Sequence, residues 1–326
     1  MGRKVQFVQQ ISRVVVSCDP KKWNPTWIGV GAGTGGVAWG NRSELSRAAH
    51  VIGQALISKS SMSKYLLAWC SDLHFDFIQP HQRQRFLQSV AMSGANGIVI
   101  TGDISTSRRI ADNLGSIAGT GLPTYFVTGN HDYYAGNFAT TDATTASVCR
   151  QFPNMTRLGR GEIIPLGERT ALIGHSGWGD GRAGMGPMTP VRMNDSLLIA
   201  DLRLDGAALF EKLAELGMAS ARYIERVALI AVQNADQVVV ATHVPPFPEA
   251  SRHEGVPGEP SHLPHFTNVA MGESLRKIAR DWPRKKFLVI CGHTHERFTW
   301  QADENLVVKV AGARYGDPAV EEILEF

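Results

Sequence analysis

The chain has 326 residues, 43% of them hydrophobic and 19% charged, with a formal net charge of +3. This length holds one large domain or two small ones, and the composition is that of a globular protein with a sizeable core. So small a net charge does not argue for nucleic acid, no apolar run reaches a membrane span, and four scattered cysteines without a CxxC pair set a reducing compartment, the cytoplasm, as the default.

Residues 1–61 hold eight Lys and Arg against Asp19 and Glu44, a net +6, so the remainder carries −3. The segment lacks clear periodicity. Its stretch from Trp27 to Trp39 places Gly31, Gly33 and Gly36 at GxGxxG spacing. No convincing strand precedes them, and Glu44 comes too early to be the acid of a dinucleotide site. The stretch is too diluted by glycine for a signal peptide, and Gln6 breaks the myristoylation pattern that Gly2 opens. Residues 1–61 are therefore expected to be a basic, poorly ordered extension or the product of a mis-assigned start. The functional protein is expected to begin near Met62, as one domain over 62–326 without internal repeat or linker.

From there the elements follow in order. Tyr65–Cys70 is a short apolar run, a buried strand that breaks at Ser71-Asp72. His81–Ala95 has Phe86, Val90 and Met92 near helical spacing. Gly97–Thr101 is a second buried strand, ending at Gly102-Asp103. Ser105–Ala118 reads as a helix with a basic first turn, and Pro123–Thr128 as a third strand, ending at Gly129-Asn130. Strand, helix, strand, helix, strand predicts parallel βαβ units. Within Thr156–His175, the runs Ile163–Leu166 and Thr170–Ile173 predict a hairpin, followed by a glycine-rich loop to Arg182. Asn194–Ala235 is predicted largely helical, with Leu209, Leu213 and Leu216 on one face. Gln237–Ala241 is another buried strand, ending at Thr242-His243. A Pro/Gly/His loop runs from Phe247 to Asn268, then a helix over Glu273–Trp282 and a strand over Lys286–Ile290, ending at Cys291-Gly292-His293. Alternation in Arg297–Val310 predicts a closing hairpin around Asp303-Glu304-Asn305.

The His, Asp and Asn residues stand where these strands end: Asp72-Leu73-His74, Gly102-Asp103, Gly129-Asn130-His131-Asp132, His243, and Gly292-His293 with His295. Strand ends brought to one rim of a sheet can assemble a metal site on an α/β scaffold. His243 alone reads as a buried, hydrogen-bonded histidine, and Asp72 and Asp103 alone read as helix N-caps. Within the ordered set all three read as ligands. Cys70 and Cys291 read as core. His175, Asp180 and Arg182 read as structural loop residues, Arg108 and Arg109 as solvated charges, and His253, His262 and His265 as the rim of an entrance.

In this order the five blocks resemble the calcineurin-like metallophosphoesterase superfamily, over Asp72 to His295. The resemblance implies a two-sheet β-sandwich core flanked by helices, in α/β/β/α layers. It implies two divalent metal ions, with Mn, Fe or Zn suited to mixed His, Asp and Asn donors. Asp72, His74 and His295 would hold the first ion, Asn130, His243 and His293 the second, and Asp103 both. A hydroxide bridging the ions would hydrolyse a phosphate ester, with His131 as general acid and not a ligand. Asp132, its neighbour, would orient His131 or cap the following loop. The chain departs from the Ser/Thr protein phosphatase pattern: Gly102-Asp103-Ile104-Ser105-Thr106 lacks the phosphate-gripping arginine, and the third block ends in Asp132. The expectation is a bacterial-type phosphatase or phosphodiesterase for a small phosphorylated substrate, without a membrane. A scaffold of the same fold is disfavoured because His131 and every ligand are present. A nuclease is disfavoured because the body is acidic. The insert 194–235 and the loop 247–268 are expected to decide the substrate.

Overall fold

In the computed structural model, residues 64–326 are described throughout. Before them only the backbone of two short strands is described, β1 (Ile28–Val30) and β2 (Ala38–Gly40), paired antiparallel. The chain divides into two units, Met1–Ser63 and Lys64–Phe326. The expected poorly ordered extension lies outside the described residues.

In the second unit the strands are β3 (Leu66–Cys70), β4 (Gly97–Thr101), β5 (Thr124–Val127), β6 (Met155–Arg157), β7 (Ile164–Pro165), β8 (Thr170–Gly174), β9 (Gln237–Ala241), β10 (Arg252–His253), β11 (Val256–Pro257), β12 (Lys286–Cys291), β13 (Phe298–Asp303), β14 (Leu306–Val310) and β15 (Glu322–Glu325). The helices are α1 (Pro80–Ala91), α2 (Ile110–Ala118), α3 (Phe138–Gln151), α4 (Asp195–Leu198), α5 (Gly206–Ala231), α6 (Leu263–Phe266) and α7 (Val269–Asp281). One sheet runs β15-β3-β4-β5-β6, parallel except for β15; the other runs β13-β14-β12-β9-β8-β7, with β8, β9, β12 and β14 parallel.

The two-residue side-chain period of a strand sorts each apolar run between two layers. Leu67 and Trp69 on β3, Val99 on β4, Val239 and Ala241 on β9 and Ile290 on β12 meet in one buried cluster between the sheets. Their alternates face outward. Ala68, Cys70, Ile98 and Ile100 pack under α1, α2 and α3 with Phe86, Leu114 and Val148. Val238, Val240, Phe287 and Val289 pack under α5 and α7 with Ile224 and Leu275. Strands buried on both faces read as continuous apolar runs for this reason. The mixed α/β architecture, two main sheets flanked by helices, is the expected one.

Asn194–Ala235 is largely helical, as expected, but in pieces: the backbone turns extended at Ile199 after α4, and α5 starts at Gly206. One expectation needs correction: the stretch Ser105–Ala118 forms helix only from Ile110. Strand β15 was not expected. Its Glu-Ile-Leu-Glu sequence is charged at both ends, as an edge strand tolerates.

Candidate metal centre

The parallel strands bring their C-terminal ends, and the loops that follow, to one place. β3 leads into Asp72 and His74, β4 into Asp103, β5 into Asn130 and His131, β9 into His243, and β12 into His293 and His295. Strand pairing continues past the sheet edge: Asp72 N donates to Gly102 O at 3.0 Å and His74 N to Asp103 O at 2.9 Å. Asp72, His74, Asp103, His293 and His295 all have positive φ, between 42° and 72°. Non-glycine residues occupy that region only where surrounding structure holds them there, so these turns are held by their contacts in the fold.

The motif glycines have a packing cause. A Cβ on Gly129 would collide with Asp103 Oδ1 and lie 2.7 Å from His243 Cε1. One on Gly102 would lie 2.5 Å from His243 Nδ1, and one on Gly292 would collide with an Asp72 oxygen. Each glycine thus makes room for a site residue from another strand.

Two groups of donors result. In the first, one ligand atom each from Asp72, His74, Asp103 and His295 lies within 4.8 Å of the others. His74 Nε2 and His295 Nε2 are 3.1 Å apart, and His295 Nε2 is 3.3 Å from Asp72 Oδ1. In the second, His243 Nε2 lies 3.0 Å from Asn130 Oδ1, 3.2 Å from His293 Nδ1 and 3.4 Å from Asp103 Oδ1. Asp103 faces both groups: its Oδ2 lies 3.8 Å from His74 Nε2.

The donor set fits cations. His243 Nδ1 is 2.8 Å from Thr101 O and His293 Nε2 is 3.3 Å from His265 O, so each ring places its N–H on a carbonyl. That leaves His243 Nε2 and His293 Nδ1 as lone pairs. Asn130 Nδ2 donates to Asp195 Oδ1 at 2.9 Å, which turns Asn130 Oδ1 to the same point. The two ring nitrogens meet Asn130 Oδ1 and Asp103 Oδ1, four groups able to donate a lone pair. Burial holds His74 down to about 3 and keeps His243 and His293 low as well. Burial, then the charges of Asp72 and Asp132, pushes Asp103 well up. Burial also works against charge on Asp72, but its hydrogen bond with His295 and the neighbouring histidines hold it low. The ion-pair partners of Asp72 and Asp103 are histidines alone among the described residues. Two buried carboxylates with no Lys or Arg partner among those residues call for a counter-charge, which a metal would supply.

A family model for calcineurin-like phosphoesterases matches residues 65–297. The chain belongs to that family. No curated protein matches it. Among solved structures it is similar to TT1561 of Thermus thermophilus, at 14% identity over 77% of this chain and 90% of that one, with a TM-score of 0.48. It is also similar to a dimetal phosphatase from Danio rerio, at 10% identity over 79% and 88%, TM-score 0.47. A third is the purple acid phosphatase PPD1 from yellow lupin (Lupinus luteus) seeds, at 13% identity over 91% and 51%, TM-score 0.42. As a calcineurin-like phosphoesterase the chain is a hydrolase of phosphate esters, in a family that depends on divalent metal.

The remaining expected residues fall around the phosphoesterase site. His131 stands beside the first group, its ring stacked on Tyr134 at 4.2 Å and edge-on to His74 at 4.7 Å, with Nε2 3.9 Å from Asp103 Oδ2. Burial and then His243 lower it to about 4. Asp132 does not orient that ring. It is fully buried, and its oxygens accept N–H groups of Ile104, Ser105 and Gly129 at 2.8–2.9 Å, so it ties the β4 and β5 loops together. Neither Asp72 nor Asp103 caps a helix: the following turns begin behind His74 and Arg109. Cys70 and Cys291 lie in the cores under the helices, and burial pushes the Cys70 thiol up to about 12. Asp180 accepts from Ala270 N at 2.8 Å, and Arg182 grips Glu273 with two bonds of 2.7 Å, a structural tie to α7. Arg108 and Arg109 are exposed and do not line the cleft; His253 does.

Sequence reasoning missed Asp195 and Tyr315. Asp195 holds the Asn130 amide and the Tyr134 hydroxyl, the latter at 2.7 Å. Tyr315 lies over His74 at 4.4 Å. Both sit in segments without periodicity or motif, and only the folded chain brings them to the rim. No helix among the described residues is long and apolar enough to cross a membrane.

Proposed function

We propose that the chain hydrolyses a small phosphorylated molecule at a centre for two divalent ions, with Mn, Fe or Zn suited to the donors. Asp72, His74 and His295 would hold one ion, Asn130, His243 and His293 the other, and Asp103 would serve both. The observation that carries the reading is the convergence of His293 Nδ1, Asn130 Oδ1 and Asp103 Oδ1 within 3.0–3.4 Å of His243 Nε2. When bound, such ions acidify a water to a nucleophile and neutralise phosphoryl oxygens.

The protein's own groups do the rest. Asp103 accepts the His131 backbone N–H at 2.9 Å, which fixes the histidine beside the ester. His131 donates a proton from Nε2 to the leaving oxygen. Burial lowers its proton affinity, and an anionic ester bound beside it would favour the charged ring. Tyr134, stacked on the ring, keeps the imidazole in that orientation. Asp132 is a positioning residue that holds the two loops in register. The net −3 of residues 62–326 favours a small substrate over nucleic acid, and the free Cys70, Cys149 and Cys291 fit a reducing, cytoplasmic setting.

The test is hydrolysis of p-nitrophenyl phosphate and its bis-ester by the Mn²⁺-loaded chain. His131→Ala is expected to lower kcat about 10²–10⁴-fold with metal content unchanged. A variant with full activity removes His131 from the reaction.

A further inference from the structure

We infer that the preferred substrate is a phosphate diester with a flat apolar substituent, and that the enzyme releases the monoester product uncut. This rests on the hydrolytic reading above and adds the substrate class. Two observations carry it: the charge of the cleft and an aromatic ledge beside it.

The cleft over the site has a volume of about 480 Å³. Tyr134, Met193, Glu254, Phe266, Glu296 and Tyr315 are among its walls, and none of the described lining residues is Lys or Arg. Of the arginines beside wall residues in sequence, Arg314 is exposed and outside the lining, and three others are engaged elsewhere. Arg192 pairs with Asp205 at 2.9 Å, Arg252 lies over the Phe298 ring, and Arg297 donates to Glu321 at 2.9 Å. Glu296 is held at the rim, accepting from Gly255 N at 2.8 Å. A phosphate monoester carries about −1.5 to −2 near neutral pH, a diester only one charge. Beyond the metal ions, this wall offers no cation for a second charge, and its glutamates repel one.

Tyr315 is 51% exposed and Phe77 59%. Their rings lie 4.7 Å apart, and Tyr315 continues onto His74. Exposed rings contiguous with a reaction site suit a flat substituent, which stacks on them. In the reaction, a water oxygen bonds to phosphorus as the bond to one ester oxygen breaks. That oxygen leaves as an alcohol with the proton of His131. One water proton restores His131 and the other goes to solvent, leaving a monoester dianion that the wall does not retain.

The test uses the full, Mn²⁺-loaded chain. Bis(p-nitrophenyl) phosphate is expected to exceed p-nitrophenyl phosphate in kcat/KM by more than about tenfold. Each diester should give a single equivalent of p-nitrophenol while the monoester accumulates. Tyr315→Ala should raise KM for the diaryl ester about fivefold with a smaller change in kcat. Calorimetry should find diphenyl phosphate binding more tightly than phenyl phosphate. Faster monoester cleavage, release of both phenols, an unchanged KM in Tyr315→Ala, or a tenfold loss in Arg314→Ala that reveals a hidden cation, would each overturn the inference. If the loaded chain cleaves no ester, the hydrolytic reading fails, and the calorimetric order of the two ligands still decides the substrate class.

Discussion

Replacing Gly129 by alanine adds one methyl group at the centre of the site. The new Cβ collides with Asp103 Oδ1 and comes within 2.7 Å of both Asp103 N and His243 Cε1. Two of these neighbours are fixed: Asp103 by its backbone turn at φ 52°, His243 by its bond to Thr101 O. The carboxylate is the part that can swing, and swinging costs its bond from His131 N. Overpacking of this kind costs about 1–3 kcal/mol. Placed on the site, about 2 kcal/mol is roughly a 30-fold rise in the dissociation constant for metal. Gly94→Ala is the control, because its Cβ meets nothing within 4 Å although φ is +79°. It should cost about 1–2 kcal/mol of backbone strain and leave metal binding unchanged. The assay pairs urea unfolding of the metal-free proteins with Mn²⁺ titration of the folded ones. If Gly129→Ala binds Mn²⁺ as tightly as wild type, the crowding around Asp103 is not what demands glycine.

Two further outcomes follow from the surroundings of the site. Asp195→Ala removes the acceptor of the Asn130 amide, so Mn²⁺ affinity should fall about 10–100-fold while the melting temperature of metal-free protein changes little, as calorimetry and a thermal melt would report. An unchanged affinity would leave Asp195 without a role at Asn130. His175, lowered to about 4 first by burial and then by Arg157, should destabilise the fold in acid. Its unfolded value is near 6.5, so the unfolded chain takes up the proton first as pH falls. The stability is complete above that value and is lost towards pH 4, by at most about 3 kcal/mol. Urea midpoints of His175→Gln should fall less steeply than wild type between those limits; parallel curves would contradict the assignment.

Much of the candidate centre was legible because its residues follow the ends of apolar runs. Leu66–Cys70, Gly97–Thr101 and Gln237–Ala241 are buried on both faces, so their boundaries coincide with a change of composition that the eye can find. The order of the blocks then carried the family. What was not legible depends on distance in the fold. Asp195 is 65 residues from Asn130, and Tyr315 follows the last strand of its sheet without any pattern of its own. For Asp132 two readings stayed open, orienting His131 or capping a loop, because adjacency in sequence does not say where a side chain points. A 3-10 turn over His131–Tyr133 points neighbouring side chains apart, and Asp132 bonds to the β4 loop instead. The glycines of the motifs read as turn residues. Their larger role, room for a ligand from another strand, appears only when both strands are in place.

The central claim is that Asp103 serves two pockets at once. Metal-free protein should take up two Mn²⁺ ions per chain in a calorimetric titration with parallel elemental analysis, and Asp103→Ala should retain neither after dialysis. Two ions retained by Asp103→Ala, or a single site in the wild type, would contradict it.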